Sequence, residues 1–512
     1  MAKRTILDIP LNRVEGDLEI RVEVADGVVV DAWSAGTMYR GFENLLIGRG
    51  ALDGLVVTPR ICGICTTTHL TAAALALDNV SGVQVPDDGV RLRNVALMAE
   101  HIQSDIRQAV LMYMADFTNP AHAGLSLYDE AVRRYAPLKG DCCIETIRET
   151  KKVLEIVATI GGQWPHSSFM VPGGVVHRPE TSDLLRCRQI LTRYRAWYER
   201  RVLGCPIGRW HEVKSAADLD AWIEENEAQQ QSEVGFFLRF CRQAKLDAIG
   251  AGFGSFLSFG GLDLPKTTRV KGCRGKLTAE GFAHGGEVRA FDQAKVAEHI
   301  ASSWFVGYEG GRHPFEGVTR PYASGAEAGR YSWAKAPRYD GHPAETGPLA
   351  ERIVATDPLF TDLVRQGGAS AMVRELARLV RPASLFEVMD QWLDEVVRSE
   401  QGVFYTPAGA IPDGQGMGLT QAARGALGHW ISIAGGRIER YQIITPTAWN
   451  ASPRDAAGVR GAWEEALIGT PVRDPENPVE VGHVIRSFDP CLVCSVHTVR
   501  GRRTLGRAVL QV

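Results

Sequence analysis

Two pairs of cysteines with the Cys-x-x-Cys spacing lie near opposite ends of this 512-residue chain. Cys62 and Cys65 form the first pair, and Cys491 and Cys494 form the second. Thiolates two residues apart can bind one soft metal ion, and two such pairs provide a four-sulfur site. A structural zinc site usually takes its pairs from a short stretch of chain. Because these pairs are so far apart in sequence, a redox or catalytic metal centre is favoured, with structural zinc as the alternative.

Charged and basic residues accompany each cysteine pair. Arg60 and His69 flank the first pair, and Asp489 and His497 flank the second. Nearby cations lower thiol pKa values, and hydrogen bonds to the sulfurs tune a redox metal. The six other cysteines among the 10 in the chain have no metal-ligand spacing. We therefore expect no iron–sulfur cluster in this chain.

The composition excludes several classes of protein. Hydrophobic residues make up 45% of the chain and charged residues 23%, so it can bury a large core. The formal net charge of −3 argues against nucleic acid as a partner. No apolar run approaches the roughly 18 residues that a membrane span needs, and no signal peptide is visible. The sequence therefore predicts that this chain has no transmembrane segment. A partner would have to carry it to a membrane or an export route.

A helix-rich fold must position these cysteines. Apolar residues at three- and four-residue spacing predict a long helix from near Arg91 to just before Asn119-Pro120. Alternating polarity around Asp26-Gly27 predicts a hairpin over residues 17–33. The other expected elements are helices over 144–160, 182–203 and 370–400 with a break near Pro382, an exposed helix or insertion over 214–235, and irregular structure over 305–350. We expect an α+β fold with long central helices and small β elements.

Several short motifs resemble, in order, those of the large, catalytic subunit of nickel–iron hydrogenases, and the resemblance extends over almost the whole chain. The two cysteine motifs are Arg60-x-Cys62-Gly63-x-Cys65-x-x-x-His69 and Asp489-Pro490-Cys491-x-x-Cys494-x-x-His497. The other matching blocks are Arg13-Val14-Glu15-Gly16, Arg40-Gly41-Phe42-Glu43, Gly161-Gly162-x-x-Pro165-His166, Gly173-Gly174-Val175, Trp333-x-Lys335-Ala336-Pro337-Arg338-Tyr339, Ala423-Arg424-Gly425-Ala426-Leu427 and Pro446-Thr447-Ala448-Trp449-Asn450. Each block alone is weak, but their joint appearance in one order is specific.

The resemblance implies a nickel ion bound by all four cysteines of the two pairs. Cys65 and Cys494 would also bridge to an iron that carries carbon monoxide and cyanide ligands. It further implies heterolytic, reversible cleavage of hydrogen to protons and electrons. Cys491 would accept the proton first, and Glu15 would be the next relay, since partial burial raises the pKa of a carboxylate toward neutrality.

The same resemblance assigns roles around the metals. Arg424 and Asp489 would overhang them, Thr447 would donate a hydrogen bond to a cyanide, and His69 would donate one to a bridging sulfur. A magnesium site would take the Glu43 carboxylate, the Ile443 backbone carbonyl and the His497 side chain as ligands.

The chain also departs from the family motifs. Asp17 follows the first motif where histidine is usual, and Gln421-Ala422-Ala423 precedes Arg424 where a carboxylate and a proline are usual. The helix near Asp105 lacks histidines that are common there. Asp105 or a neighbour is therefore the residue expected to supply the second carboxylate above the metals.

The C-terminus predicts a precursor. Residues 1–497 would form a single intertwined catalytic body, and residues 498–512 a cleavable extension that a dedicated protease removes after nickel insertion. The lead hypothesis is a hydrogen-uptake enzyme that passes electrons to an obligate small subunit with iron–sulfur clusters, helped in its assembly by nickel-insertion factors. The chain would be cytoplasmic or membrane-associated, and any export would depend on the small subunit.

Three alternatives stay open at this point. A hydrogen-sensing regulatory subunit has the same fold, although sensory members generally lack a cleavable tail. A respiratory-complex subunit that lost its metals is disfavoured by the four intact cysteines. A structural zinc protein is disfavoured by the number of matching blocks.

Overall fold

The computed structural model describes residues 4–322, 329–399 and 402–491. Cys494, His497 and the extension 498–512 lie outside the described residues. Among the residues that are described, no helix is both long enough and apolar enough to cross a membrane.

Four long helices pack in a closed bundle at the centre of the fold. They are Asp87–Arg107, Asp141–Gly161, Thr181–Trp197 and Phe386–Arg398. The first of these, which we call the central helix, is buried on almost every face because other elements cover the side that the bundle leaves open. It begins at Asp87, four residues before the predicted start, because Pro86 supplies an extended residue ahead of two acidic residues in the first turn.

The predicted end of helical structure just before Asn119-Pro120 is confirmed. After Arg107 the chain continues through a π-helical turn, Gln108–Tyr113, and a 3₁₀ turn, Met114–Thr118, and helical structure stops before Asn119-Pro120. The predicted break near Pro382 is also present, as a 3₁₀ turn, Arg381–Ser384, between two helices. The remaining helices and 3₁₀ or π turns are Phe42–Leu46, Ala51–Asp53, Gly54–Val57, Thr58–Arg60, Thr66–Ser81, Pro120–His122, Tyr128–Tyr135, Tyr198–Leu203, Ile207–Trp210, Ala216–Glu224, Glu227–Gln231, Glu233–Ala244, Gln293–Lys295, Pro314–Glu316, Pro348–Val354, Pro358–Gly367, Ala371–Val380, Pro446–Asn450, Ala462–Leu467 and Val479–Arg486.

Small antiparallel sheets surround the bundle. The predicted hairpin is Leu18–Ala25 and Val28–Gly36, and a further strand, Arg4–Pro10, extends it. A second three-stranded sheet consists of Gly414–Ala422, Gly425–Ala434 and Arg437–Ile444. The other strands are Met170–Val171, Gly174–Val175, Phe256–Asp263, Lys276–His284, Glu287–Arg289, Val296–His299, Phe305–Val306, Gly311–Arg312, Arg320–Pro321 and Ala336–Tyr339.

The prediction for residues 214–235 was only partly right. The segment is helical, but its inner side packs against the protein, with Trp222 and Gln229 fully buried. The polar composition of its outer side hid this inward face. The described residues of the region 305–350 are as expected, with short strands and turns until the helix Pro348–Val354 begins.

The helix Thr66–Ser81 lies directly on the second sheet because glycines in the facing strand leave room for it. A Cβ atom on Gly418 would come within 1.9 Å of the Ala72 carbonyl oxygen. This close packing fixes the first cysteine pair, at the start of the helix, relative to the hairpin that carries Arg424.

The two ends of the chain meet beside this helix. The Glu15 N–H donates to the Pro490 carbonyl oxygen at 3.3 Å, and Glu15 and Cys491 form a parallel bridge. Further along, Val29 and Gly27 exchange backbone hydrogen bonds with residues 469–472. The first motif and the second cysteine pair are thereby held side by side.

Candidate metal centre

Three cysteines converge in the interior where the chain ends meet. The Sγ atoms of Cys62, Cys65 and Cys491 all lie within 4.8 Å of one another, and Cys62 and Cys491 are 3.5 Å apart. All three side chains are buried. We call these three residues the cysteine cluster. Its geometry suits a shared soft metal ion, because thiolates this close would otherwise repel one another.

The first pair sits at a helix N-terminus. Cys65 is the residue immediately before the helix Thr66–Ser81, and the Ile64 N–H points to the Cys62 sulfur at 3.4 Å. The aligned peptide dipoles place partial positive charge at this end of a helix, which stabilises anionic sulfur. The local sequence therefore favours thiolates at these two positions.

Cys491 is placed by a turn after the helix Val479–Arg486. Asp489 adopts a left-handed backbone conformation, with φ of 57°, which redirects the chain toward the cluster. The Cys491 N–H then donates to the Thr447 hydroxyl oxygen at 3.1 Å. Thr447 itself is buried in the short helix Pro446–Asn450. The predicted neighbours Thr447 and Cys491 are thus in direct contact.

Arg424 occupies the two-residue tip of the hairpin between Gly414–Ala422 and Gly425–Ala434. Gly425 next to it has φ of 121°, and a Cβ atom there would lie 2.4 Å from the Thr346 hydroxyl oxygen, so the tip needs glycine. The Arg424 Nη2 atom lies 3.1 Å from Asp489 Oδ1. The hairpin therefore delivers a guanidinium to the cluster from a strand remote in sequence.

The charge of Arg424 is fixed by its surroundings. Burial alone would lower the pKa of Arg424, but Asp489 and the thiols of the cysteine cluster raise it well above its usual range. Its Nε and Nη1 atoms are buried and have no hydrogen-bond partner among the described residues. Two donors are therefore left for an acceptor that the described part of the chain does not supply.

A network of arginine–carboxylate pairs continues behind Asp489. Arg378 Nη1 lies 3.2 Å from Asp489 Oδ2, and Arg381 binds Asp105 through two nitrogens at 2.6 and 2.8 Å. Asp105, expected from the sequence as the second carboxylate above the metals, is thus held by Arg381 behind Asp489. Gln103 and Ser104, its neighbours on the central helix, border the cavity in front of Arg424 instead.

Glu15 faces that cavity, which has a volume of about 160 Å³. Burial and the charge of Cys62 raise the pKa of Glu15, and Arg424 partly offsets the increase. A carboxyl with a raised pKa can accept and release a proton near neutral pH. The apolar part of the cavity wall comes from Ile64, Leu111 and Trp164.

A second, much smaller cavity of about 10 Å³ lies on the other side of Arg424. Its lining residues are Cys65, His69, Ala422, Arg424, Leu427, Pro446, Thr447 and Cys491. The lining thus brings two cysteines, Arg424 and Thr447 together around one small space. These residues fit a metal group whose own ligands accept hydrogen bonds.

His69 is buried beside the cluster and belongs to a chain of three polar side chains. Its Nδ1 lies 3.1 Å from His429 Nε2, and His429 Nδ1 lies 2.9 Å from the Tyr441 hydroxyl oxygen. Burial lowers the pKa of His69 to about 4 and that of His429 well below its usual range. Both imidazoles are therefore neutral at physiological pH.

Glu100 stabilises the start of the helix that follows Cys65. The carboxylate accepts hydrogen bonds from the backbone N–H groups of Thr67 and Thr68, at 2.8 and 3.0 Å, and from the Thr68 hydroxyl at 2.8 Å. Burial raises the pKa of Glu100 to about 7, although these hydrogen bonds lower it. Glu100 thus caps the helix from the central helix.

The comparisons with known proteins agree with this site. The family model described as nickel-dependent hydrogenase matches residues 40–123 and 218–497. The chain belongs to this family. A hydrogenase is an oxidoreductase that acts on hydrogen, and membership of this family supports a nickel–iron centre in this protein.

The relatives and solved structures match along nearly the whole hydrogenase chain. The periplasmic [NiFeSe] hydrogenase large subunit of Desulfomicrobium baculatum is 34% identical over 96% of this chain and 94% of its own length. The uptake hydrogenase large subunit of Rhodobacter capsulatus is 29% identical over 97% of this chain and 95% of its own. The as-isolated, oxidised Ni-Fe-Se hydrogenase from D. vulgaris Hildenborough superposes with a TM-score of 0.81, at 32% identity, over 97% of this chain and all of that chain. The helix-rich α+β fold that the sequence predicts is confirmed.

The selenium named in some relatives has no counterpart in this sequence. All four positions of the two Cys-x-x-Cys pairs are encoded as cysteine.

The predicted magnesium site is a buried polar pocket of about 30 Å³. Glu43 Oε1 accepts from the Ile443 N–H at 2.9 Å, and Glu43 Oε2 lies 3.3 Å from Lys335 Nζ. Lys335 also donates to Gln442 Oε1 at 2.6 Å and lies 3.5 Å from Glu298. Carboxylate and amide oxygens suit magnesium, so the donor set fits, with Lys335 as an unforeseen cation in the same pocket.

Four buried residues of the site had no sequence signal. Glu100, Arg378, His429 and Tyr441 reach the cluster region from separate elements, and none belongs to a Cys-x-x-Cys motif.

Proposed function

We propose that this chain is the catalytic large subunit of a hydrogen-uptake nickel–iron hydrogenase that converts hydrogen reversibly to protons and electrons. The observation that carries the proposal is the buried cysteine cluster beside the Arg424–Asp489 pair, where two donors of Arg424 have no hydrogen-bond partner among the described residues. Cys62, Cys65, Cys491 and Cys494 would bind nickel, with Cys65 and Cys494 bridging to iron. When bound, the metals act as Lewis acids that make hydrogen acidic enough to be split heterolytically.

The protein would supply the path for the proton. The Cys491 sulfur is the proposed first acceptor, and Glu15 the next, since their backbones are bridged and the pKa of Glu15 is raised by burial and by Cys62. Asp489 and Arg424 border the same cavity as Glu15 and keep it polar on the cluster side. A proton that reaches Glu15 is then at the edge of the buried region.

Carbon monoxide and cyanide on the iron are the proposed acceptors for the unused donors. Arg424 offers Nε and Nη1, and Thr447, whose oxygen already accepts from the Cys491 N–H, can direct its hydroxyl hydrogen at a cyanide. We also propose that His69 donates to a bridging sulfur, and that magnesium binds the Glu43 carboxylate, the Ile443 carbonyl oxygen and His497.

The proposed partner is a small subunit that carries the iron–sulfur clusters. Within the described residues, the cysteine cluster is the only group of three or more His, Cys, Asp or Glu side chains close enough together to share one metal ion. The segment just before Cys62 in the sequence exposes four large apolar side chains: Leu45, Ile47, Leu52 and Val56. Such exposure is typical of a surface that another chain covers, and its place beside Cys62 would shorten the route for electrons.

We propose further that residues 1–497 form the mature body and that a protease removes residues 498–512 after insertion factors have loaded the nickel. The chain would be cytoplasmic or membrane-associated, and its partner would decide any export. Among the relatives, one is named periplasmic and others are named uptake hydrogenases.

Infrared spectroscopy of the processed protein, purified with its small subunit, tests the metal group directly. We expect carbon monoxide and cyanide stretching bands that are intrinsic to the protein. A Cys65→Ser variant should lose these bands and its iron, because the bridging sulfur is gone.

Cys273→Ser is the matched control, since Cys273 is partly exposed and outside the cluster. It should keep both the bands and the metals. Absence of the bands in a cleaved, metal-loaded wild-type protein would overturn the nickel–iron assignment.

A further inference from the structure

The three residues His69, His429 and Tyr441, which we call the imidazole relay, form a buried line of hydrogen bonds that ends beside the cysteine cluster. His429 and Tyr441 lie on neighbouring antiparallel strands, where His429 faces Ile443 and Tyr441 faces Ile431. They are diagonal neighbours on one face of the sheet, so their side chains meet. His69 reaches them from the helix Thr66–Ser81 packed on that sheet.

We propose that Tyr441 and His429 are positioning residues that fix the tautomer of His69, so that its Nε2 carries the hydrogen and donates toward the metal-binding sulfurs. This inference deepens the proposed function and rests on it for the nature of the metal group. It concerns hydrogens on this chain's own residues, however, and can be tested by itself.

Two contacts join the three side chains, one between two nitrogens and one between a nitrogen and an oxygen. The distance of 3.1 Å between His69 Nδ1 and His429 Nε2 requires one hydrogen between them, with one ring donating and the other accepting. The distance of 2.9 Å between His429 Nδ1 and the Tyr441 oxygen has the same requirement. Because a neutral imidazole has one donor and one acceptor, the two contacts are coupled, and only two arrangements are possible.

In the first arrangement, His69 Nδ1–H donates to His429, and His429 Nδ1–H donates to the Tyr441 oxygen. The Tyr441 hydroxyl hydrogen then has no acceptor among the described residues, although the side chain is buried. The other ring nitrogen of His69, Nε2, would present a bare lone pair to a region of thiols. Both ends of the relay would be unsatisfied.

In the second arrangement, the Tyr441 O–H donates to His429 Nδ1, and His429 Nε2–H donates to His69 Nδ1. Every hydrogen between the three residues is used, and His69 keeps its remaining hydrogen on Nε2. His69 borders the small cavity together with Cys65 and Cys491, so this N–H is available to a thiolate there. Both rings are buried, which favours the neutral forms that this arrangement requires.

Such control of a tautomer matters for a sulfur ligand. A hydrogen bond donated to a metal-bound thiolate withdraws charge from it, whereas a lone pair in the same place repels it. In metal sites generally, partners that orient a ligand's environment change metal affinity or activity by about 10–100-fold when they are removed. The relay would give Tyr441, which does not line the small cavity, an influence on the sulfurs.

Neutron diffraction from crystals of the complex with its small subunit, exchanged into D₂O, locates these hydrogens. We expect deuterium on Nε2 of both His69 and His429, none on either Nδ1, and a Tyr441 O–D directed at His429. Deuterium on His69 Nδ1 would overturn the proposal. Since the measurement does not depend on turnover, it can succeed or fail separately from the infrared test of the metal group.

Tyr441→Phe tests the consequence, because it removes the hydroxyl and keeps the ring. We expect shifted infrared bands and about a 10-fold loss of hydrogen oxidation. Tyr198→Phe is the control: Tyr198 is equally buried, and its hydroxyl donates to the Leu379 carbonyl at 2.8 Å, outside the relay. Unchanged bands in Tyr441→Phe, at the level of this control, would contradict the proposal.

A second substitution separates the tautomer from simple packing. In His429→Gln, the side-chain amide can still donate a hydrogen bond to His69 Nδ1, so the bands should stay closer to those of the wild type than in His429→Leu. Equal shifts in the two variants would argue for loss of packing alone and against the relay.

Discussion

The cysteine cluster has two unlike sides. On the side of Asp489, buried charges are held in pairs by Arg424 and Arg378, and Arg381 with Asp105 continues the network. On the side of His69, the buried groups are neutral imidazoles and a phenol joined by hydrogen bonds. Charge balance governs the first side and hydrogen direction governs the second, so substitutions on the two sides should fail in different ways.

Glu15→Gln should have the largest effect, because it removes the proposed proton acceptor on the charged side and leaves an amide of nearly the same shape. We expect hydrogen oxidation and hydrogen–deuterium exchange to fall by about 10²–10⁴-fold, the usual contribution of a positioned acid or base. The infrared bands and nickel content should stay unchanged.

Glu19→Gln is the matched control for that experiment. Glu19 is also partly buried, and burial raises its pKa as well, but it lies on the strand Leu18–Ala25 outside the cavity. It should retain full activity. Normal exchange in Glu15→Gln would remove Glu15 from the proton path.

Asp489→Asn should break the charge balance and thereby destabilise the protein. Two buried guanidinium groups would lose their shared carboxylate, and loss of one partner from a buried pair costs about 3–5 kcal/mol. We expect a lower midpoint of thermal unfolding together with reduced activity, measured on the complex at one heating rate.

Asp390→Asn provides the contrast, because Asp390 pairs with Arg188 at the surface and is 42% exposed. Surface pairs contribute about 0–1 kcal/mol. If the two substitutions lowered the midpoint equally, the distinction between a balanced interior and an ordinary ion pair would be wrong.

The smallest effect concerns Glu100, which lies at the boundary between the two sides. Its pKa is raised to about 7 in the folded protein, from an ordinary value of 4.5, so the folded state holds a proton that the unfolded state has lost. Stability therefore falls as the pH rises through this window, by an amount on the order of 3 kcal/mol. Glu100→Gln cannot titrate, so its unfolding midpoint should fall less than that of the wild type between pH 5 and pH 8.

Much of the centre could be predicted from the sequence because its chemistry is local. Cys62, Cys65 and His69 share one helix start, and the spacing of two residues between thiols carries the metal prediction without any knowledge of the fold. The end of the helical stretch that follows the central helix was predictable for a similar reason, since proline disfavours helical structure at the residue before it.

The remaining features depend on contacts between remote segments. Tyr441 is an unremarkable residue in a strand until the helix Thr66–Ser81 brings His69 against it. Asp105 was expected near the metals, but whether it faces Arg424 or Arg381 depends on the rotation of the central helix, and a one-residue difference selects Ser104 instead. A sequence pattern gives the face of a helix and not the partner across it.

The contact between Glu15 and the Pro490–Cys491 segment has a consequence for the order in which the protein is made. It joins residues near the first and last of the described positions, so a growing chain cannot form it before Pro490 and Cys491 have been added. Contacts of such long sequence separation form slowly because the whole intervening chain must first be arranged. We therefore expect this contact to form late in folding, so that the first cysteine pair is accessible before the second approaches it.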